Sequence, residues 1–485
     1  MSEHTRDTFQ DNTHQRGSTG RPEDRSAAGR AAQELADRLH GALILPENAE
    51  YEAARQVWNG TVNRFPALIA CCESVEDVIA AVTVAREQAL PLSVRSGGHS
   101  LAGHSTNDGG IVIDLSPMKG LRIDPARRVA RMEPGLTWGE VSNALQPYGL
   151  ALTAGDTATV GVGGLMLGGG IGWVVRKEGL AIDHLRAVEL VTADGRVLRA
   201  SADEHPDLFW GLRGGGGNFG VAIAFEVDLH PGGIILGGAV FYEATELEPL
   251  LQGYARMAQA APDELTTQVL LMPAPPAPFI PPDKQGMPAL ALLLCYAGDP
   301  LEGERIVAPL RTLGPVLADL VTPMPYPAIF HLTEMAEVRG LQHHLRSQFF
   351  DTASEEMVHA LAEAASMVWC RETLIQLRVL GGAMSRIESS ATAFAHREKQ
   401  AMLMISHYGP SSADAHDLRA RTEQVWQALA PYANGVYVNM LGDEGEQRLH
   451  EAYPLATYTR LATLKRRYDP TNLFRLNQNI TPAEA

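Results

Sequence analysis

Residues 92–115, LSVRSGGHSLAGHSTNDGGIVIDL, constrain the fold of this chain more than any other stretch. Two apolar runs, 92–94 and 111–113, enclose the glycine turn 95–100, which has His99 in its middle. Because glycine has no side chain, the backbone N–H groups of such a turn can approach an anion such as a phosphate. A histidine in the turn either contacts that ligand or is a hydrogen-bonded structural residue. The stretch therefore predicts a strand–turn–strand unit and a candidate binding site, with both interpretations of His99 open.

Two further glycine-rich stretches, 161–172 and 214–220, follow the first, which spans 96–103. Each of the three adjoins an apolar strand pattern and contains little Lys or Arg. Together they indicate one extended ligand held by backbone N–H groups, and a dinucleotide has the required length.

The stretch 214–220 also contains the letters of a dinucleotide fingerprint, at Gly215, Gly217 and Gly220. That fingerprint should follow a strand and open a helix, whereas here a helical pattern precedes it and a strand pattern follows. We therefore do not expect a Rossmann fold. The P-loop, nucleophile-elbow and zinc-protease motifs are absent from the sequence.

Composition excludes several classes of protein. A chain of 485 residues predicts two substantial domains, and its net charge of −17 argues against a nucleic-acid-binding surface. The four cysteines, without CxxC spacing or a histidine cluster, predict no metal site and no disulfide framework. Because the sequence has neither a signal peptide nor an apolar run that could span a bilayer, we expect a cytoplasmic protein with no membrane contact.

The order of patterns along the chain predicts its organisation. We expect a polar, disordered leader at 1–34, a first domain at 35–233, a second at 234–430, and a C-terminal segment at 431–485. The residue patterns predict helices at 31–40, 74–85, 137–145, 203–212, 301–313, 355–367, 412–430 and 454–467. They predict strands at 129–132, 221–229, 290–295, 373–380, 402–407 and 435–441, and a hairpin at 187–200.

Several motifs together resemble those of one known family. They are RSGGHS (95–100) with DGG (108–110) and DL (114–115), VGVGG (160–164) with GGGIG (168–172), GLAID (179–183), LFWGLRGGG (208–216) with NFGV (218–221), and YDPTNLF (468–474) with NQNI (477–480). In this combination the chain is similar to the FAD-linked oxidases related to vanillyl-alcohol oxidase, in the branch of berberine bridge enzyme. The resemblance covers roughly 45–482 and is closest to bacterial natural-product oxidases.

The resemblance implies an α+β protein with a two-part FAD-binding domain of the PCMH type. It also implies a substrate domain built on an antiparallel sheet covered by helices, with the C-terminal segment returning to the FAD-binding domain. The positions expected to contact FAD are Arg95, Ser96, Gly97, Gly98, His99, Ser100, Gly103, His104, Thr157, Val160, Gly163, Gly164, Gly168, Gly169, Gly172, Trp173, Asn218, Gly220, Val221, Asn439, Asn477 and Asn479.

In this family the histidine of the first motif is bonded to the flavin 8α-methyl group, and His99 occupies that position. Many relatives form a second bond through a cysteine in a Gly-x-Cys-Pro-x-Val-Gly stretch. Here the matching run begins at Gly155, and Thr157 stands in place of the cysteine. We therefore expect one covalent bond, through His99, with His104 as the alternative position.

The candidate catalytic residues are less constrained by pattern. In relatives, a strand before a Gly-Gly pair presents a polar or acidic group over the flavin, and here that strand carries Gln376 and Arg378 on one face. Gln376 can orient a substrate but cannot accept a proton, while Arg378 either binds an anionic substrate or faces solvent. Tyr437 shares a face with Asn439, and Tyr242 and His407 complete the candidates.

Three functions remain open at this point. The first is an oxidase whose FAD takes a hydride from an alcohol, amine or activated C–H and is reoxidised by O2. The second is a dehydrogenase that passes electrons to another acceptor, and the third is a binding protein with a vestigial cofactor site. The resemblance suggests a small-molecule substrate from secondary metabolism, such as antibiotic biosynthesis, and a monomer or homodimer. The proline-rich loop 273–288 would help to shape the substrate pocket.

Overall fold

Short strands and glycine turns build the first domain, in agreement with the sequence pattern. The computed structural model describes residues 22–484. The strands of this domain are β1 (Leu43–Ile44), β2 (Leu68–Cys71), β3 (Leu92–Arg95), β4 (Ile111–Asp114), β5 (Leu121–Asp124), β6 (Val129–Met132), β7 (Leu150–Ala151), β8 (Leu185–Val191), β9 (Val197–Ser201), β10 (Val221–Asp228) and β11 (His230–Pro231). Its helices are α1 (Pro22–Ala36), α2 (Tyr51–Ala54), α3 (Val75–Glu87), α4 (Trp138–Leu145), α5 (Val162–Gly168), α6 (Val175–Glu178) and α7 (Pro206–Leu212), with 3-10 turns at Gln146–Tyr148 and Ala181–His184.

Nine of these strands form two separate sheets, which confirms the two-part domain, and β7 and β11 pair with each other in a short third sheet. One sheet has the order β1-β2-β4-β3, in which β4 is parallel to both β2 and β3. The other is antiparallel with the order β5-β6-β10-β8-β9. Strands β2 and β3 run in the same direction on either side of β4, so the chain must cross back between them, and α3 lies in this connection. The glycine turn after β3 therefore lies at the carboxyl end of a buried parallel strand.

Sequence capping signals define the starts of two helices in this domain. Ser74 accepts a hydrogen bond from the Asp77 N–H at the start of α3, and Thr137 and Glu140 form a reciprocal capping box at the start of α4. The prediction of a leader over 1–34 is wrong from Pro22 onward, because α1 is helical and buries Ala31 and Leu35. The predicted helix at 31–40 is accordingly the end of α1, which stops at Ala36. Residues 1–21 of the predicted leader lie outside the described part of the chain.

The second domain is one large antiparallel sheet with helices on its outer face. Its strands are β12 (Ile234–Glu243), β13 (Leu265–Pro273), β14 (Pro288–Tyr296), β15 (Val316–Asp319), β16 (Thr322–Pro325), β17 (Gln342–Phe350), β18 (Thr373–Val379) and β19 (Ala401–Gly409), and its helices are α8 (Leu247–Gln259), α9 (Pro300–Val307), α10 (Glu355–Val368), α11 (Ala383–Arg386) and α12 (Ala415–Leu429). The strand order is β15-β12-β14-β13-β18-β19-β17, with β16 also paired to β12. Further 3-10 turns lie at Ala244–Glu246, Ala308–Thr312, Tyr326–Glu337 and Ala430–Tyr432.

Alternation along the sheet strands separates two apolar surfaces. Leu251, Tyr254 and Leu361 from α8 and α10 pack with Leu292 of β14 in an outer core. The alternate residues of the same strands point to the opposite face of the sheet, towards the first domain. The antiparallel sheet covered by helices, expected from the resemblance, is therefore confirmed.

The C-terminal segment contains α13 (Glu446–Ala452) and α14 (Leu455–Tyr468), and α14 packs against α7 of the first domain. The predicted strand at 435–441 is wrong, since Val438–Met440 forms a 3-10 turn. None of the helices in the described part of the chain has the length and apolar character that crossing a bilayer requires.

Candidate cofactor and substrate site

A cavity of about 840 Å³ lies where the three segments of the chain meet. The glycine turns of the first domain border one end, and the inner face of the eight-stranded sheet borders the other. The C-terminal segment closes it through Tyr437, Asn439 and Asn477. In the described part of the chain, no Lys or Arg side chain borders this cavity. An anionic ligand would therefore be held by neutral donors rather than by cations.

His99 borders the cavity at the junction between the two domains. Its ring stacks on Trp58, with ring centroids 5.5 Å apart, and Trp58 stacks in turn on His343 at 4.1 Å. The Nε2 atom lies 3.2 Å from the hydroxyl of Thr159. Burial, with a smaller effect of Arg339, lowers the pKa of His99 to about 4. At neutral pH the imidazole is therefore uncharged and keeps a nucleophilic lone pair.

The first two glycine stretches contact each other close to His99 in the sequence, at Gly97 and Gly161. A Cβ atom added at Gly97 would lie 2.3 Å from the backbone nitrogen of Gly161, so the two backbones meet where only glycine fits. The Ser96 hydroxyl donates to the Pro134 carbonyl at 2.5 Å and accepts from the Gly163 N–H at 3.3 Å. One side chain thus joins the two turns and fixes their separation.

Two other glycines leave open space that a ligand could fill. A Cβ atom added at Gly164 or at Gly217 meets no heavy atom within 4 Å, although both residues border the cavity. In two other residues that border the cavity, Nε2 of His104 and Oδ1 of Asn477 are buried and have no hydrogen-bond partner within residues 22–484. An open glycine cradle with unpaired donors and acceptors fits a long polar group such as a dinucleotide.

The cavity brings together most, but not all, of the positions expected to contact FAD. Those that border it are Ser96, Gly97, Gly98, His99, Ser100, His104, Thr157, Val160, Gly163, Gly164, Asn218, Gly220, Val221, Asn439 and Asn477. Those that lie behind its wall are Arg95, Gly103, Gly168, Gly169, Gly172, Trp173 and Asn479.

The residues behind the wall have structural contacts that explain their identity. Arg95 forms a buried ion pair with Asp114 at 2.7 Å, which joins β3 to β4. A Cβ atom at Gly168 would lie 2.0 Å from Oδ1 of Asn439, so this glycine allows Asn439 to approach. Trp173 donates its indole N–H to the Asp156 carbonyl at 3.2 Å and so supports the loop that contains Thr157.

The substrate end of the cavity is formed by rows of side chains across the sheet. Phe241, Ala291, Leu270, Gln376 and Met404 are successive partners on β12, β14, β13, β18 and β19, and all five border the cavity. Partners directly opposite one another in an antiparallel sheet point to the same face. Gln376 is the polar member of this row and has an apolar neighbour on each side.

Gln376 is held by a second glutamine and an arginine. Its Nε2 donates to Oε1 of Gln268 at 3.0 Å, and Nε of Arg378 donates to the same oxygen at 2.9 Å. Gln376 and Arg378 therefore share a face, as the alternation predicts. Arg378 is only 2% exposed, so the solvent-facing alternative is wrong.

The structure also contradicts the expectation that Arg378 binds an anionic substrate. Its guanidinium pairs with Asp156 and donates to the Ile171 carbonyl at 3.1 Å. With its donors used by these groups and Gln268, Arg378 lies behind the cavity wall. It joins the second domain to the loop that contains Thr157.

Tyr437 closes the cavity from the C-terminal side. Its hydroxyl oxygen accepts hydrogen bonds from the Gly170 N–H at 2.8 Å and from Nδ2 of Asn439 at 2.9 Å. Although these bonds favour the phenolate, burial dominates and raises the pKa of Tyr437 to about 12. The hydroxyl is therefore protonated at neutral pH and can donate its proton into the cavity. The predicted pairing of Tyr437 with Asn439 is present, although a turn rather than a strand provides it.

The remaining candidates lie elsewhere. Tyr242 is buried in the outer core of the second domain and donates to the Leu310 carbonyl. His407 is fully buried, and its Nδ1 lies 3.0 Å from the hydroxyl of Thr422. Since neither residue borders the cavity, the prediction that Tyr242 or His407 contacts the reacting groups is wrong.

Sequence reasoning missed the aromatic side chains that position His99. Trp58, His343 and Tyr408 form a continuous stack with it, and His343 and Tyr408 are 5.6 Å apart. Trp58 lies in a stretch without clear periodicity, so no local signal identified it. The partners His343 and Tyr408 face each other across β17 and β19, a pairing that strand prediction alone could have suggested.

Comparisons with known proteins agree with this geometry. The family described as FAD binding domain matches residues 66–201, and the family described as berberine and berberine like matches 436–481. The (R)-6-hydroxynicotine oxidase of Paenarthrobacter nicotinovorans is 31% identical over 457 residues, covering 92% of this chain and 97% of the relative. An FAD-linked oxidoreductase of Dictyostelium discoideum is 29% identical, covering 94% and 98%. The crystal structure of 6-hydroxy-D-nicotine oxidase from Arthrobacter nicotinovorans superposes with a TM-score of 0.83 at 30% identity, covering 92% and 98%.

Proposed function

This chain belongs to the berberine-bridge-enzyme-like family of FAD-linked oxidoreductases, and from that premise we propose that it is an oxidase whose FAD is bound covalently through His99. Its substrate is a small organic alcohol, amine or activated C–H compound, and O2 restores the oxidised cofactor. The placement of His99 is the observation that carries this proposal. A neutral, stacked imidazole lies at the junction of a glycine-lined groove and an apolar chamber.

The residues around the groove fit FAD. The glycine cradle at Gly164 and Gly217 has room for the diphosphate, and the buried Oδ1 of Asn477 on the cavity wall has no hydrogen-bond partner within residues 22–484. When bound, FAD supplies the two-electron acceptor, and the protein contributes binding, orientation and electrostatics. The absence of Lys and Arg from the described cavity wall means that backbone N–H groups would carry most of the diphosphate binding.

Thr157 supports a single covalent attachment. It borders the cavity in the loop where many relatives have a cysteine, and its hydroxyl lies 3.2 Å from Oδ1 of Asp156. A threonine hydroxyl does not offer the nucleophilic thiolate of a cysteine. His104, the alternative attachment position, also borders the cavity, but His99 has the ring stack and the hydroxyl contact that fix an orientation.

The apolar sheet face excludes water from the substrate, while two polar groups orient it. Gln376 can accept a hydrogen bond but no proton, and Tyr437 can donate one. Because a phenol with a pKa of about 12 is not a base at neutral pH, Tyr437 acts as a donor to the substrate or cofactor edge rather than as a proton acceptor.

The oxygen reaction can be tested separately from flavin binding. The purified protein is reduced anaerobically and then mixed with air-saturated buffer in a stopped-flow instrument. We expect the oxidised flavin spectrum to return within seconds. A return over many minutes, with rapid reoxidation by a quinone or dye, would identify a dehydrogenase instead.

A further part of the proposal concerns the origin of the substrate and the assembly state. We place the enzyme in secondary metabolism, as a monomer or homodimer, on the resemblance to bacterial natural-product oxidases. Size-exclusion chromatography with light scattering tests the assembly, and anaerobic bleaching of the flavin by a metabolite panel tests the substrate.

A further inference from the structure

The hydrogen bonds around Gln376 determine which end of its side-chain amide faces the cavity. Arg378 has only hydrogen-bond donors, so the atom of Gln268 that faces its guanidinium must be the carbonyl oxygen. The opposite orientation of Gln268 would place an NH2 group against the guanidinium. Since Gln376 also bonds to that carbonyl oxygen, Gln376 must present its own NH2 group to Gln268. Arg378 therefore sets the orientation of Gln376 through Gln268.

Because the NH2 group of Gln376 is used by Gln268, its Oε1 is the acceptor that remains for a ligand on this row of side chains. Gln376 borders the cavity, and no donor among residues 22–484 forms a hydrogen bond with its Oε1. On the same row Leu270 and Met404 flank it, and both are apolar. A ligand that lies against this row therefore meets one acceptor in an apolar surface.

Most of the remaining sheet surface in the chamber is apolar, although Ser406, His343 and Tyr408 also border it. Phe241 and Phe279 lie 5.5 Å apart, and Met272, Leu293 and Leu374 continue the surface across the sheet. At the mouth, Phe279 and Met335 border the cavity while remaining 40% and 57% exposed. Such a surface favours flat hydrophobic molecules over sugars, because its few polar groups, such as those of Gln376 and Ser406, can replace only a few of the water contacts that sugar hydroxyl groups would lose.

The interior of the chamber offers no unpaired charge to a ligand. Asp156 pairs with Arg378, and Glu334, which contacts His331, lies at the exposed rim in water. A charged group on the substrate would therefore enter the apolar chamber without a counterion, which is costly. This charge distribution disfavours carboxylate and ammonium substrates alike.

Resting on the proposed function, we infer that the substrate is a neutral, flat, largely apolar molecule that donates one O–H or N–H hydrogen bond to Oε1 of Gln376. Gln376 is then the specificity-determining residue, and Gln268 and Arg378 are positioning residues that act through it. The O–H or N–H group of the bound substrate then lies on the sheet side of the cavity, opposite the glycine-lined groove proposed to hold FAD.

Equilibrium titration of the holoenzyme tests this inference through the visible absorption spectrum of its flavin. The probes are 2-naphthol, which has a donor, 2-methoxynaphthalene, which has the same rings without a donor, 2-naphthoate, which is anionic, and maltotriose. None of the three naphthalenes has a benzylic C–H that hydride transfer could use, so they report binding alone. We expect 2-naphthol to bind about five- to tenfold tighter than 2-methoxynaphthalene and at least about tenfold tighter than 2-naphthoate. Maltotriose should produce no shift.

Substitutions separate the hydrogen bond from the general apolar fit. Gln376→Met keeps the size of the side chain but removes the acceptor, so 2-naphthol and 2-methoxynaphthalene should bind with similar affinity. Gln268→Leu should reduce the same affinity ratio, and Gln268→Glu should restore it, because a carboxylate still accepts from both Arg378 and Gln376. Gln424→Met, on the exposed face of α12, is the matched control and should keep the wild-type ratio.

The inference is overturned by tighter binding of 2-naphthoate or maltotriose than of 2-naphthol, by an affinity ratio that survives Gln376→Met, or by the failure of every naphthalene probe to perturb the flavin. A colourless wild-type protein would contradict the proposed function instead, and it is recognised before any titration begins.

Discussion

The imidazole of His99 stacks on the indole of Trp58, with ring centroids 5.5 Å apart and ring planes inclined by 22°. The backbone of Trp58 also bridges the domains, since its N–H donates to the Gly98 carbonyl and its carbonyl accepts from the Gly340 N–H. His99, the proposed attachment residue, is thus positioned by a residue that contacts both domains. Correct docking of the second domain is therefore coupled to the geometry of the proposed flavin bond.

Covalent attachment should depend on the contacts that orient His99. Thr159→Val removes the hydroxyl that lies 3.2 Å from Nε2, which frees the ring to rotate away from the reactive orientation. We expect the fraction of flavin that remains with acid-precipitated protein to fall severalfold. Thr459→Val, at an exposed position of α14, is the control and should keep the wild-type fraction. An unchanged fraction in Thr159→Val would show that the hydroxyl contact does not position the imidazole.

Filling the glycine cradle should expel the cofactor without unfolding the protein. An added methyl group at Gly164 meets no protein atom within 4 Å, and alanine is a better helix former than glycine in α5. Gly164→Ala should therefore lower the flavin content while the free energy of unfolding of flavin-free protein is unchanged or higher by up to about 1 kcal/mol. Gly29→Ala in α1 provides the matched helical control with normal flavin content. Full flavin content in Gly164→Ala would show that the cofactor does not occupy the space beside Gly164.

The buried histidines of the cavity should make the protein sensitive to acid. Burial lowers the pKa of His104 and of His343 to about 4, from an ordinary value of 6.5. Between pH 4 and pH 6.5 the unfolded chain binds protons at these two histidines and the native state does not. The free energy of unfolding therefore has its full value above pH 6.5 and decreases as the pH falls towards 4. We expect the urea unfolding free energy to decrease from pH 7 to pH 5, with a smaller decrease in His104→Asn and His343→Gln. Equal pH dependence in these variants and the wild type would contradict this assignment.

The ion pair between Arg378 and Asp156 should be expensive to break from one side. Arg378 is 2% exposed, so Arg378→Met leaves the Asp156 carboxylate without its partner in a partly buried site. We expect a loss of roughly 3 kcal/mol in unfolding free energy. Part of this loss should be recovered in the double variant Arg378→Met with Asp156→Asn. The exposed pair of Arg196 and Asp194 supplies a control, because Arg196→Met should change stability little. Equally small losses of unfolding free energy in Arg378→Met and Arg196→Met would show that the buried ion pair does not stabilise the loop that contains Asp156.

Local sequence signals predicted the elements and the glycine turns well. The capping residues Ser74 and Thr137 are where helices begin, and the Asp-Gly turn between β8 and β9 forms the expected hairpin. These features depend on neighbouring residues, whose physical preferences act without the rest of the fold. The two-part domain and the antiparallel sheet came from the resemblance and are confirmed by the structure.

Contacts between distant residues were beyond sequence reasoning. Arg378 and Asp156 are 222 positions apart, and no local pattern indicates that the arginine turns away from the cavity to meet the carboxylate. The segment at 435–441 alternates like a strand, yet the bond from the Gly170 N–H to Tyr437 holds it in a turn. The part of α1 before Ala31 was missed because its composition is polar and it has few apolar residues to reveal a helical pattern.

Peptide mapping of the purified protein tests the central claim most directly. Tryptic digestion releases the peptide 96–119, which contains both His99 and His104, and fragmentation by mass spectrometry assigns any flavin to one of them. We expect a yellow peptide with the flavin on His99, and in His99→Ala a peptide of unmodified mass together with free FAD in the acid supernatant. An unmodified peptide from the wild type, or flavin that remains attached in His99→Ala, would contradict covalent attachment through His99.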